Sequence, residues 1–145
     1  MKYFVIYLKS TGAIIRWGSN PALDISVLET STEAALEVDS NEVTSDTHYV
    51  DSGSLVAKTT KPSEYHKFNY TTKQWEADTS HCLMLLRIDR DNLLSKSDWT
   101  QVSDCPLTDS KKTEWATYRQ QLRDLPSSYS NLSNLADVTW PTAPE

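Results

Sequence analysis

Apolar positions along this chain follow two rhythms, and the change comes near residue 79. Before it, apolar and aromatic residues sit in short runs or alternate with polar ones, the period of β-strands. Tyr3-Phe4-Val5-Ile6-Tyr7-Leu8 is β-branched and aromatic and predicts a strand covered on both faces. Lys9-Ser10-Thr11-Gly12 has turn chemistry, with Gly12 able to take a positive φ, and Ala13-Ile14-Ile15-Arg16-Trp17 returns as a second strand. Gly18-Ser19-Asn20-Pro21 closes that hairpin, because proline cannot donate to a ladder. Ser31-Thr32-Glu33-Ala34-Ala35-Leu36 fits a short helical turn or a loop, while Leu36 and Val38 alternating with Glu37 and Asp39 favour a short strand. Two further hairpins follow. One runs over 46–58 around Asp51-Ser52-Gly53-Ser54, and one over 66–76 around Thr71-Thr72-Lys73, with His66, Phe68 and Tyr70 on one face.

From residue 79 the apolar spacing is helical. Leu83, Leu86, Leu93 and Leu94 predict a helix over 80–96, capped by Thr79 or Ser80. Ser97-Asp98-Trp99 breaks it, and Pro106 forces Cys105 toward an extended backbone. Thr108 or Asp109 caps a second helix whose stripe is Trp115, Tyr118, Leu122 and Leu125, and which stops before Pro126. About 12 residues join the two helices, which favours an antiparallel pair. Residues 127–137, rich in Ser and Asn, read as a loop, and Pro141 and Pro144 keep 138–144 extended. Trp140 is expected to fold back between the helices near Trp115 and Leu122. The expected class is α+β: an antiparallel β meander of hairpins over 1–78, then a helical hairpin with an extended tail over 79–145.

Charge narrows the partners. The formal net charge is −6, with 14 basic and 20 acidic residues, and neither 1–78 nor 79–145 is basic. Binding to a phosphate backbone is not expected. No apolar run approaches the roughly 20 residues that span a bilayer, so no membrane partner is expected, and no signal peptide is expected at Met1-Lys2. Two cysteines, Cys82 and Cys105, make no disulfide framework and read as small, partly buried hydrophobes in a cytosolic protein.

Candidate chemistry is sparse. Gly12, Gly18 and Gly53 form neither a phosphate loop nor a nucleophile elbow. His48, His66 and His81 lack metal-ligand spacing, and His81-Cys82 with a distant Cys105 is a weak metal pattern. Asp89 and Asp91 lie at i and i+2, which do not face each other on a helix. No ordered base stands beside either thiol to make a nucleophile. No catalysis, cofactor or metal is expected. The five tryptophans, Trp17, Trp75, Trp99, Trp115 and Trp140, either complete a thin core or anchor a partner. Aromatics and arginines gather around the helical hairpin, and Arg87, Asp98, Trp99, Arg119, Arg123 and Trp140 are the residues expected to contact a partner. Arg119 or Arg87 is expected to hold Asp98 through a bidentate pair.

The segments Leu86-Arg87, Arg90-Asp91, Leu93-Leu94, Ser97-Asp98-Trp99-Thr100-Gln101, Asp104, Pro106-Leu107, Trp115, Tyr118-Arg119, Leu122-Arg123-Asp124-Leu125-Pro126 and Trp140-Pro141 resemble the small tail assembly chaperone domain of tailed bacteriophages. The resemblance covers about 79–144. More loosely, the hairpins of the front half are similar to β modules that precede this domain in phage tail and tail-fibre-associated proteins. The resemblance implies a protein made in the host cytoplasm that takes part in building the tail or its fibres, and it implies no catalytic residues. Two readings follow: an assembly factor that binds tail or tail-fibre proteins and leaves, or a structural virion component retained in the tail, baseplate or fibre, where it could form part of an oligomer.

Overall fold

The first apolar run becomes β1 (Lys2–Leu8), the central strand of a three-stranded sheet in a computed structural model that describes residues 1–22 and 24–145. β2 (Ile14–Asn20) and β3 (Glu33–Val38) flank it, both antiparallel. Val5 and Ile6, which point to opposite faces, are both buried, as a strand covered on two sides requires. β2 continues past Trp17, because Gly18, Ser19 and Asn20 still pair with Phe4, Tyr3 and Lys2. Its register slips opposite Ile6 and Tyr7, leaving Ile15 as the extra residue of a β-bulge. The stretch 31–36 is strand and not helical turn: Leu36 lies opposite Val5 and Val38 opposite Tyr3, so the alternation decides.

β4 (His48–Asp51) and β5 (Ser54–Ala57) form a hairpin closed by Ser52 and Gly53, at φ 50° and 80°. Two positive φ values make a turn whose twist matches that of the paired strands. β6 (His66–Asn69) and β7 (Gln74–Ala77) form the third hairpin. The class is α+β with antiparallel strands first, as expected. The strands are divided among three small sheets, with β3 returning beside β1 and not extending a continuous meander.

The chain divides into two compact units, Met1–Pro62 with Phe68–Glu76, and Ser63–Lys67 with Ala77–Glu145. In the first, Val5, Ile14, Val38, Val43 and Val50 form the core, with Tyr3, Tyr7, Leu36 and Leu55 packed on it. Gly12 ties the first hairpin to β4: its carbonyl accepts from the Val50 N–H at 2.9 Å, at φ 76°. A Cβ there would collide with the Val50 carbonyl. Lys58 gathers the aromatic residues of the same unit. Its Nζ donates to the Ser45 carbonyl at 2.7 Å and to Tyr70 Oη at 3.0 Å, and lies 4.4 Å from the Phe68 ring centroid and 4.8 Å from that of Tyr70. Each such cation–π contact contributes about 0.5–2 kcal/mol, more as water is excluded. Gly12→Ala should destabilise the first unit by on the order of 3 kcal/mol, through strain and the lost β4 contact together. Urea denaturation followed by circular dichroism checks this, and a midpoint equal to that of the parent chain would contradict it.

The second unit is built on α1 (Thr79–Lys96) and α2 (Asp109–Asp124). The α1 cap is Asp78, whose carboxylate accepts from the His81 N–H at 3.1 Å; Thr79 is the first helical residue. That hydrogen bond, more than the nearby Lys67, holds the Asp78 carboxyl below the ordinary aspartate range. Thr108 caps α2 by accepting from the Lys111 N–H. α2 stops at Asp124, and Pro126 sits in a 3₁₀ turn, Leu125–Ser128, where its missing N–H leaves no gap. Arg119 of α2 meets the end of α1 while Leu125 and Leu83 share a core, so the helices run antiparallel. No helix among the described residues is long and apolar enough to cross a membrane.

Cys82 and Leu86 are fully buried against Leu132 and Val138, with Tyr65, Leu83, Leu125, Tyr129, Leu135 and Trp140 around them. Burial pushes the Cys82 thiol up. The polar segment 127–137 thus supplies one wall of the core through Leu132, with a further 3₁₀ turn at Leu135–Asp137. The tail is held where Tyr129 Oη accepts from the Thr139 N–H at 2.7 Å. Trp140 does fold back, but onto the Leu83 and Leu125 end of the helix pair and beside Gln121. Trp115 lies about 15 Å farther along α2, at 1.5 Å per residue, which corrects the expected docking point. Deleting residues 138–145 removes Val138 and Trp140 from this core. It should lower the melting temperature by several degrees, read by differential scanning calorimetry.

Candidate partner-binding surface on the helical unit

An α-helix ends with carbonyls that have no partner within it and with the negative end of its dipole. α1 ends among Leu93, Leu94 and Ser97, and three side chains converge there. Ser97 Oγ lies 3.0 Å from the Leu93 carbonyl and 2.9 Å from that of Leu94. Arg119, one turn beyond Trp115 on α2, donates from Nη1 to the Leu94 carbonyl at 2.7 Å and to Ser97 Oγ at 2.7 Å. Its Nη2 donates to Asp98 Oδ1 at 2.7 Å. Arg119 therefore holds Asp98, and Arg87 does not. The expected bidentate pair is not formed: one guanidinium nitrogen serves the carboxylate and the other serves the helix end.

The loop after α1 continues this packing. Ser97 and Thr100 are 2 % and 1 % exposed, with Arg119 at 8 %, so the Ser-Asp-Trp-Thr-Gln stretch is a buried polar staple on its Ser and Thr side. Thr100 Oγ1 donates to the Ser97 carbonyl at 2.6 Å and accepts from Gln101 Nε2 at 2.9 Å. Cys105 Sγ closes the loop on the Thr100 carbonyl at 3.5 Å. A 3₁₀ turn, Asp98–Gln101, carries this geometry and turns Trp99 outward. Its ring is 49 % exposed and lies 6.2 Å from that of Trp115, which meets Tyr118 edge-on at 5.6 Å. Val102, on the same loop, is 50 % exposed.

The residues expected to contact a partner are thus sorted by the fold. Trp99 is presented to solvent. Arg119 is buried, with three of its hydrogen bonds made inside the unit, and acts by positioning the loop. Asp98 keeps a 66 % exposed side chain while anchored to Arg119. Arg87 and Arg123 are exposed on α1 and α2, and Arg123 Nη1 reaches Gln120 Oε1 at 3.5 Å. Trp140 is half-buried at the other end of the helices and lines an open groove with Gln121, Leu125, Pro141 and Thr142. Val102 escaped the sequence reading, because it stood in no periodic pattern. Trp115, read as core stripe and, with the other tryptophans, as core or partner anchor, is partly buried with its ring 6.2 Å from that of Trp99. Met84 and Ile88, four residues apart on α1, form a second exposed apolar pair at 48 % and 50 %. Among the described residues no group of three or more His, Cys, Asp and Glu side chains is placed to hold a metal ion.

The staple separates buried from exposed electrostatics, and a double-mutant cycle reads the difference. Asp98→Asn should cost no more than about 1 kcal/mol, since its carboxylate is largely in water. Arg119→Met should cost on the order of 3 kcal/mol, because it removes charge-assisted hydrogen bonds to the Leu94 carbonyl and Ser97 Oγ in the interior. Their coupling should stay near 0.5–1 kcal/mol. Equal losses for the two single variants in urea denaturation would overturn this assignment.

No curated protein and no solved structure matches significantly. Residues 83–145, from the second turn of α1 to the end of the tail, match the family model of the phage tail assembly chaperone protein, in line with the resemblance carried by the Ser-Asp-Trp-Thr-Gln stretch and the α2 motif.

Proposed function

We propose that this protein assists assembly of a bacteriophage tail by binding a tail or tail-fibre protein in the host cytoplasm, without chemistry or a cofactor of its own. The observation that carries the tail role is the family match over 83–145. The geometry supports the manner of action. A tryptophan left half in water on a loop fixed by three buried hydrogen-bonding residues is a preorganised anchor, and aromatic residues of this kind dominate binding energies at interfaces. Trp99, Trp115 and Val102 form the contact patch, with Arg87 and Arg123 as outlying charges. Arg119 and Asp98 keep the loop in its binding shape.

Co-expression with the tail and fibre proteins of the same phage, followed by affinity capture, tests the proposal. Capture of a tail or fibre protein is expected, and Trp99→Ala should weaken the complex by at least tenfold, the effect of losing about 1.4 kcal/mol or more at an anchor. Recovering no tail or fibre protein at low and moderate salt would count against the tail role. Recovering one equally well with Trp99→Ala would remove the patch from the proposal. Finding the complex in purified particles would identify a component retained in the virion.

A further inference from the structure

We propose that the first unit carries a receptor cleft for an arginine side chain of a partner protein. The matched family region begins at residue 83, so nothing about that match bears on this unit. The cleft lies where β1 begins, β2 ends and the chain leaves β3. It encloses about 250 Å³ and is lined by Tyr3, Phe4, Trp17, Ser19, Ser40 and Asn41. Tyr3 and Trp17 stand on one face of the sheet at this opening, the face shared with Val5 and Ser19, and Trp17 is 50 % exposed. The Phe4 ring lies over Gly18, where a Cβ would come within 3.1 Å of it.

The chain that follows Trp17 is acidic. Residues 17–57 contain eight carboxylates and no lysine or arginine. The nearest cations in sequence are already engaged: Lys2 pairs with Glu37, and Arg16 with Glu33. Asp39 and Glu42 bracket the lining pair Ser40-Asn41, are exposed, and take part in no ion pair among the described residues. The Glu42 N–H donates to Ser40 Oγ at 3.1 Å, which holds this rim in a turn. Aromatic faces attract a cation, and a guanidinium can stack on a ring while its N–H groups reach carboxylates. A lysine ammonium satisfies the charge but not the stacking. An aliphatic side chain would use the rings but leave both carboxylates idle. The arginine of an extended, basic segment fits both.

The test uses the full chain and an unstructured peptide of alternating Arg and Ser, with its citrulline counterpart as the neutral isostere. In heteronuclear NMR titrations the Arg peptide should shift the Trp17 indole N–H and the amides of Gly18, Ser19 and Asn41 in a saturable way, and the citrulline peptide should not. Trp17→Ala should weaken binding about three- to tenfold, the loss of a cation–π contact. The double variant Asp39→Asn, Glu42→Gln, at two exposed positions, should weaken it comparably without changing the fold. Absence of a saturable shift would overturn the proposal. So would shifts spread over other acidic surface with Trp17 unmoved, or full binding by both variants.

Discussion

The guanidinium of Arg119 sits at the point where a helix end, a loop and a second helix must be reconciled. The closing carbonyls of α1 collect donors from Ser97 and Arg119, and Ser97 and Thr100 of the loop that follows are polar yet buried. Burying a cation is costly unless its donors are used and its charge is met. Here Nη1 serves the Leu94 carbonyl and Ser97, and Nη2 serves Asp98, which stays in contact with water. The negative end of the α1 dipole adds to the same balance. Because one planar group makes all three contacts, the angle of the loop is set, and with it the direction of Trp99. A lysine could supply the charge but not this fork.

Each unit alone is small for a single hydrophobic core, and they solve that problem differently. The first shares valines among short strands and adds an aromatic cluster around Lys58, whose ammonium makes ring contacts and hydrogen bonds together. The second extends a two-helix interface with an irregular segment, so that Leu132, Val138 and Trp140 complete what α1 and α2 leave open. In both, large side chains with a polar handle stand in for a deeper apolar interior.

The two surfaces argued above differ in kind. On the helical unit the Trp99 patch is apolar and rests on a rigid loop, which suits a packed protein contact. On the strand unit the Trp17 cleft is aromatic within an acidic field, which suits one cationic side chain. In protein recognition generally, apolar contact supplies affinity and charge supplies selectivity.

Much of this was legible in the residues themselves. The change of period near residue 79, the capping residue Thr108, the α2 stripe and the Ser-Asp-Trp-Thr-Gln motif lie within one or two turns of chain, and local chemistry suffices to read them. The strand character of 33–38 needed its partner, because a short alternating stretch is ambiguous until β1 lies beside it. The order β2-β1-β3, the Asp78 cap, the docking of Trp140 at Leu125 and the inward turn of Arg119 were decided by tertiary structure. Each depends on residues distant in sequence competing for the same space. A charged residue beside a tryptophan looks like surface in any linear reading. Only the carbonyl end of another helix, brought against it by the fold, makes it interior.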